Sequence, residues 1–212
     1  IMKEFSVLMS LADYVPVILF AAASIILIRD MYNKMSKGAF ALFAAGTIDV
    51  ICAGFLKATY KLLYALKVCD FEALSDVFFP MQSLGFMLAG IGMLALLCHK
   101  QSKNAVAAVA PPFFSGTFVF VGLMVVGLGL MNAGLCVMSA KVKKPVLSVL
   151  FVISFICSLG MGYLSSRDFD GAMMNWIAEG VNTVGQGALL IGAILLHKSG
   201  FEKLRLHGGE EV

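Results

Sequence analysis

Residues 70–100, "DFEALSDVFFPMQSLGFMLAGIGMLALLCHK", combine an acidic start, a long apolar run and a His-Lys end. Residues 168–198, "DFDGAMMNWIAEGVNTVGQGALLIGAILLHK", have the same length, begin with the same Asp-Phe-acid triplet and also end in His-Lys. The apolar part of each stretch is about 20 residues long, which is the length of a helix that crosses the hydrocarbon core of a membrane. The two stretches therefore predict membrane-spanning helices and an internal repeat.

The composition of the whole chain agrees with this prediction. Of the 212 residues, 60% are hydrophobic and 14% are charged, and the mean hydropathy is +0.92. A soluble domain is about 45–50% apolar and about 25% charged, and one of this size could not cover so much apolar surface. We therefore predict an all-α integral membrane protein that resides in the lipid bilayer of a cell membrane.

Six apolar segments are long enough to be membrane-spanning helices, and short polar loops separate them. They cover residues 6–28, 38–64, 77–98, 113–140, 145–165 and 175–197. Because these loops are too short to hold a soluble domain, we predict a single transmembrane domain over residues 1–212, with a polar tail at 199–212.

The repeat predicts two related halves, residues 6–100 and 113–198. Three crossings per half would place the second half upside down relative to the first, as in the inverted repeats of many transporters. The loop charges instead match as if both halves had the same orientation. That arrangement needs a seventh crossing between Lys103 and Lys141, an interval too short for two full helices. We therefore expect six crossings and inverted halves.

With six crossings, both termini lie on one side of the membrane. Of the basic residues other than Lys57, that side collects nine and the other side collects six. Because basic loops favour the cytoplasm, the counts predict weakly that both termini are cytoplasmic.

The sequence also excludes several functional classes. The net charge is only +3 and the basic residues form short clusters, which argues against a nucleic-acid partner. The five cysteines show no CxxC spacing, and no HExxH or GxSxG motif occurs. We predict no cofactor, no metal site and no catalytic residue.

Three acidic residues, Asp13, Asp49 and Glu179, lie within the apolar segments, and Lys57 is the one basic residue well inside them. Such a group at the bilayer centre costs about 2.5–3.5 kcal/mol on insertion scales, so it usually faces a partner or a wet cavity. In an antiparallel hairpin of the first two helices, Asp13 and Lys57 differ in depth by about one turn, within reach of a lysine side chain. We predict a structural ion pair between them. The alternative is that Lys57 extends towards one interface while Asp13 lies near the other.

Asp49 lies near the middle of the second apolar segment and about two helical turns from Lys57, too far for a direct pair. It is either protonated and hydrogen-bonded, or it faces a cavity in which it binds a cation or carries a proton. The second alternative makes Asp49 the first candidate for an ion-binding residue.

The last apolar segment carries a polar stripe. Glu179, Asn182 and Gln186 follow i, i+3, i+7 spacing, with Thr183 beside them, and Gln82 occupies the related stretch of the third segment. These side chains could contact a solute along a shared path. They could equally form hydrogen bonds between helices, each worth about 0.6 kcal/mol.

The favoured function is that of a small multi-pass transporter or channel for an ion or small polar solute. Two alternatives remain: a substrate-binding membrane subunit of a larger transport complex, and a membrane-embedded enzyme that modifies lipids. Small residues recur at four-residue spacing, as at Gly129 and Ala133, and they fit either close internal packing or a homodimer contact.

Overall fold

The computed structural model describes residues 6–98, 117–165 and 172–204, and every regular element in these ranges is helical. The α-helices are α1 (Val7–Ala12), α2 (Tyr14–Met31), α3 (Lys37–Ala65), α4 (Ala73–Asp76), α5 (Phe78–Cys98), α6 (Thr117–Lys141), α7 (Ser148–Ser165) and α8 (Ala172–Lys198). Two 3₁₀ turns, Pro145–Leu147 and Phe201–Lys203, precede α7 and follow α8. The predicted all-α class is confirmed.

Five helical segments are long and apolar enough to cross a membrane. They are Val7–Met31, Lys37–Ala65, Ala73–Cys98, Val119–Lys141 and Met173–Lys198, and Pro145–Met161 is a shorter apolar helix. Five of the six predicted segments therefore coincide with helices of sufficient length, and the fifth in chain order coincides with the shorter one. The helices are compatible with membrane insertion.

Prolines explain why the first and third segments are each divided. Pro16 has no N–H to offer the carbonyl of Ala12, and α1 ends at Ala12. Pro80 likewise cannot donate a hydrogen bond to the carbonyl of Asp76, and α4 ends at Asp76. Asp13 lies at the first of these breaks, between α1 and α2. Its side chain therefore leaves the chain at a bend.

Local signals also define the ends of the long helices. Ser36 precedes α3, and its hydroxyl accepts a hydrogen bond from the Ala39 N–H at 3.2 Å, which satisfies a donor that the first turn leaves open. Gly200 follows α8 with a φ of 85°, a left-handed conformation that glycine adopts without strain. The chain then turns into the last 3₁₀ segment.

The six long helices pack side by side in a closed ring. In order around the ring, α2 packs on α3, α3 on α5, α5 on α6, α6 on α7, α7 on α8, and α8 on α2. One cluster of buried apolar side chains draws members from all six helices, among them Phe20, Phe43, Met93, Met131, Phe151 and Leu189. This cluster is the core that the ring encloses.

The neighbouring helices α5 and α6 run in the same direction. The Phe79 and Phe120 rings lie 6.3 Å apart, a Cβ on Gly127 would meet the Phe86 backbone, and one on Gly134 would meet Met93. In each pair the α6 residue lies 41 positions after its α5 partner. A constant separation along two helices is the signature of parallel packing, so α5 and α6 are parallel.

The pair α2 and α8, which closes the ring, is parallel as well. His197 contacts Asp30 at the end of both helices, and Glu179 lies beside Asp13 near their starts. Neighbours joined by a short connection are antiparallel: on α3, Gly46 packs against Gly85, whereas the earlier Phe43 packs against the later Gly92. The helices α6, α7 and α8 thus repeat the order and directions of α2, α3 and α5.

The predicted inverted relation between the halves is therefore wrong for the described helices. Because α5 and α6 are parallel, α5 ends at one end of the bundle and α6 begins at the other. The connection between Cys98 and Thr117 lies outside the described residues. The apolar pattern of the sequence gives the length of each helix but not its direction relative to its neighbours.

The two ends of the bundle can now be distinguished. We call the end at which α2, α5, α6 and α8 begin the Asp13 end, and the opposite end the Asp30 end. Ser6 precedes α1 at the Asp13 end, whereas Lys34, in the loop after α2, contacts the carbonyl of Glu202 at the Asp30 end. The described chain therefore begins and finishes at opposite ends of the bundle. The prediction that both termini are cytoplasmic falls on residues 1–5 and 205–212, which lie outside the described residues.

Close packing of α5 and α6 gives the first prediction. A Cβ on Gly127 would lie 2.4 Å from the Phe86 carbonyl carbon, whereas one on Gly122, in the same helix, would meet nothing within 4 Å. Gly127→Ala should lower the free energy of unfolding by about 1–3 kcal/mol, the usual cost of overpacking. Gly122→Ala should leave it unchanged or raise it by up to about 1 kcal/mol, since alanine favours helix. Unfolding in detergent measures both, and equal effects would contradict the close approach of α5 to α6 at Gly127.

Candidate functional site

A cavity of about 380 Å³ lies within the ring, in its Asp13 half. It extends from Ser75 near the end of the bundle to Phe86, Leu128 and Gln186 at greater depth. Each of the six long helices contributes to its wall, with Val17, Lys57, Gln82, Met124, Ser158 and Asn182 as one member from each. The cavity is therefore a shared feature of both halves.

The polar wall of the cavity is concentrated on few elements. Four ionisable side chains line it: Asp13 at the bend between α1 and α2, Lys57 and Lys61 on α3, and Glu179 on α8. The residues that line the cavity from α6 are apolar, as are most of those from α5. Charged groups thus face an apolar wall inside an apolar bundle.

Asp13 forms an ion pair, but its partner differs from the predicted one. Lys61 Nζ lies 2.5 Å from Oδ2 of Asp13, and the two side chains are 15% and 7% exposed. The ammonium of Lys57 instead lies 4.0 Å from the centroid of the Phe78 ring. Lys57 remains close enough for the charges of Asp13 and Glu179 to act on it. The ion pair of Asp13 therefore lies one helical turn further along α3 than predicted.

The register of α2 against α3 explains this choice. The Tyr14 and Thr59 hydroxyls are 2.9 Å apart and fix the level at which the helices meet. Asp13, one residue before Tyr14, is therefore level with the stretch of α3 between Lys57 and Lys61, and either lysine can reach it. Because a neighbouring aromatic ring binds one ammonium, the other lysine is left to pair with the aspartate.

Glu179 is the one acidic residue of the polar stripe, and it is buried. Its side chain is 9% exposed, and its buried Oε1 has no hydrogen-bond donor among the described residues. The charges of Asp13, Lys61 and Lys57 all act on it. A carboxylate oxygen that is buried without a donor is costly, and here that oxygen belongs to a residue on the cavity wall.

Of the other predicted solute-contacting residues, three line the cavity and one does not. Asn182 and Gln186 line the cavity beside Glu179, and Gln82 lines it from α5, whereas Thr183 is not among the lining residues. The Nε2 of Gln186 donates to Oδ1 of Asn182 at 3.5 Å, while the buried Oε1 of Gln186 has no donor in the described structure. The stripe therefore presents carbonyl oxygens as well as a carboxylate.

Asp49 lies apart from the other predicted site residues. It is half-buried on α3, at the edge of the contact with α5, where a Cβ on Gly85 would lie 3.0 Å from its own Cβ. It does not line the cavity, and no donor contacts it within the described ranges. The predicted ion-binding role of Asp49 therefore has no connection to this cavity.

Lys61, Asn175 and Phe78 belong to the site but were not among the sequence candidates. Lys61 follows Lys57 by one turn, and Asn175 precedes Glu179 by one turn, so helical spacing could have added both to the set. Phe78, which holds the Lys57 ammonium, belongs to another helix. Only the packing of α3 on α5 brings that ring to the lysine, and no pattern in the sequence indicates it.

A second polar cluster lies at the Asp30 end. The Nδ1 of His197 donates to the buried Asp30 carboxylate at 2.9 Å, and Arg29 donates to Nε2 of the same ring at 3.1 Å. Asp30, His197 and Glu202 offer ligand atoms within 4.8 Å of one another, a spacing that could hold a metal ion. Arg29 and Lys34 bring positive charge to the same place, which opposes a cation.

Lys34 belongs to this cluster and lies outside the long helices. Its ammonium donates to the carbonyls of Asp30 at 3.0 Å and Glu202 at 2.6 Å. Burial lowers the pKa of the Lys34 ammonium, while the charges of Asp30 and Glu202 act in the opposite direction. The cluster thus joins the loop after α2 to the segment after α8.

Comparison with protein-family models, with curated proteins and with solved structures finds no match for this chain. The site must therefore be interpreted from its own chemistry.

The ion pair supplies a second prediction. Asp13→Asn should destabilise the protein because it removes the negative charge that the Lys61 ammonium contacts inside the bundle. Lys61→Met should recover part of the loss, with a coupling energy on the order of 0.5–3 kcal/mol in a double-mutant cycle. The same cycle with Lys57→Met is the matched control and should give the smaller coupling. Larger coupling to Lys57 would restore the pair predicted from sequence.

Proposed function

We propose that this chain is a multi-pass integral membrane protein that binds a small polar solute or ion in the cavity and moves it across the bilayer. The observation that carries the proposal is the set of buried or half-buried charged and amide side chains on the cavity wall: Asp13, Lys57, Lys61, Glu179, Asn182, Gln186 and Gln82. Polar groups inside an apolar bundle are costly unless they face one another, water or a ligand.

The cavity has the features of a binding site for a small molecule. Such sites are concave and mainly apolar, with a few polar groups that orient the ligand, and they measure about 300–1,000 Å³. This cavity, at about 380 Å³, lies in the lower part of that range. Its position where two three-helix units meet is also typical of transporters built from parallel repeats. A small cargo fits both the size and the position.

The proposal includes six described crossings, one for each long helix, with α7 as the shortest. Basic residues are distributed unequally between the two ends. Three described lysines belong to the Asp13 end: Lys57, Lys61 and Lys67. Seven described lysines and one arginine belong to the Asp30 end: Arg29, Lys34, Lys37, Lys141, Lys143, Lys144, Lys198 and Lys203. Because basic loops remain in the cytoplasm, the Asp30 end is the cytoplasmic one, and the cavity lies in the half that faces away from the cytoplasm.

Two native cysteines test this orientation. Cys69 is exposed in the loop after α3 at the Asp13 end, and Cys98 is exposed at the end of α5 at the Asp30 end. In variants that keep only one of them, a membrane-impermeant maleimide should label Cys69 in intact cells and Cys98 only after permeabilisation. The reversed pattern would overturn the orientation. Labelling of both from outside would overturn the crossings between them.

The transport proposal is tested by flux into proteoliposomes against a panel of inorganic cations, protons and small polar solutes. For the solute that moves, Glu179→Gln should reduce the flux by about tenfold or more, as expected when a charge-assisted hydrogen bond is lost. Asp49→Asn, which removes an acid of the same bundle outside the cavity, should change it by less than about twofold. No flux of any member of the panel, or equal losses in the two variants, would contradict the proposal.

A further inference from the structure

The unused hydrogen-bonding groups of the cavity indicate the charge class of its ligand. We propose that the cavity binds a small zwitterion, with the anionic group of the ligand on Lys57 and its ammonium on Glu179 and the amide oxygen of Gln186. The simplest such ligand is an α-amino acid with an apolar side chain. This inference rests on the proposed function and specifies the solute of the same site.

Lys57 supplies the anion-binding part. Its ammonium lies over the face of Phe78 at 4.0 Å, and within the described residues no carboxylate lies at ion-pair distance from it. A ring face attracts a cation through its quadrupole and uses none of the conventional acceptors. The N–H donors of Lys57 therefore remain available on the cavity wall for a carboxylate of a ligand.

Glu179 and Gln186 supply the cation-binding part. The side-chain atoms of the cavity wall that are buried without a donor are all oxygens: Glu179 Oε1, Gln186 Oε1 and the Asp13 carboxylate, which has its ion pair with Lys61. Oxygens of this kind accept hydrogen bonds and donate none when the carboxyl groups are ionised. A ligand that satisfies them must carry N–H or O–H donors, and an ammonium satisfies a carboxylate best.

Charge balance distinguishes a zwitterion from a simple ion. Two lysines and two carboxylates line the cavity, so their formal charges cancel when all four are ionised. A bound cation or anion would add one uncompensated charge to a setting of low polarity, which costs free energy. A zwitterion adds no net charge and places each of its charged groups beside an opposite one.

The remaining wall suits the apolar part of such a ligand. Phe86, Met124 and Leu128 line the deeper end of the cavity, and each is buried. Lys57 and Glu179 lie nearer to the Asp13 end, because Lys57 contacts Phe78 at the start of α5 and Glu179 lies beside Asp13. Phe86 instead packs on Phe20, which lies further along α2 from that end. A ligand with charged groups towards that end and an apolar side chain towards the core matches this order.

The test measures binding to the purified full chain in detergent by isothermal titration. The probes are alanine, leucine and phenylalanine, each as the free amino acid, as the amide, which is a cation, and as the N-acetyl derivative, which is an anion. At least one free amino acid should bind, and its amide and N-acetyl forms should bind about tenfold more weakly or worse. An amide or N-acetyl form that binds as tightly as the free amino acid would overturn the zwitterion.

Substitution of Glu179, which should bind the ammonium of the ligand, and of Lys57, which should bind its carboxylate, should spare different probes. Glu179→Gln should weaken binding of the free amino acid about ten- to hundredfold and leave the N-acetyl anion affected least. Lys57→Met should weaken binding of the free amino acid to a similar extent, and the affinity for the amide should change least. Lys57→Arg, which keeps the donors and the charge, should restore most of the affinity, and this variant separates loss of recognition from loss of the fold. Equal losses for all three probe forms in each variant would overturn the assignment of the two ends.

Failure of this inference can be distinguished from failure of the transport proposal. If the flux panel identifies an inorganic ion or an uncharged solute and no amino acid binds, the cavity is a transport site but its ligand is not a zwitterion. If no solute moves and no probe binds, both proposals fail. Asp49→Asn is the control in the binding assay as well and should leave each affinity within about twofold of that of the unaltered chain.

Discussion

The parallel contact of α5 and α6 is the constraint on which the rest of the structure depends. At Gly90 and Gly127 the two backbones approach so closely that neither position has room for a Cβ. In an apolar setting, helices gain little by burying hydrophobic side chains against each other, so close backbone approach supplies much of the contact. Because α6 runs with α5, the later helices repeat the directions of the earlier ones, and α8 closes the ring against α2.

The charged cavity is a consequence of these directions. Asp13 lies near the start of α2 and Glu179 near the start of α8, and the two carboxyl groups meet because the helices are parallel. In the inverted arrangement α8 would begin at the other end of the bundle, and Glu179 would be far from both lysines of α3. The proposed binding site is therefore a property of the whole ring, because the polar stripe of α8 alone would lack the basic groups.

The helices could be predicted from the sequence, but their relation to one another could not. The apolar segments and the alignment of Glu179, Asn182 and Gln186 follow from composition and from the helical period. The direction of α6 depends on a single connection, and the apolar pattern there did not determine how often the chain crosses. Lys57 and Lys61 lie one turn apart, so either could reach Asp13, and a ring on α5 decides between them. Asp49 was assigned a role by its depth alone, whereas its place outside the cavity depends on which face of α3 meets α5.

The cluster at the Asp30 end affects how such a ring could move. Asp30, His197 and Arg29 join the ends of α2 and α8, and Lys34 ties the loop after α2 to the carbonyl of Glu202. Hydrogen bonds thus hold the contact between α2 and α8 together at the Asp30 end, while the opposite end of the same contact borders the cavity. Separation of α2 from α8 at the Asp30 end would have to break these hydrogen bonds, whereas separation at the Asp13 end would open the wall of the cavity.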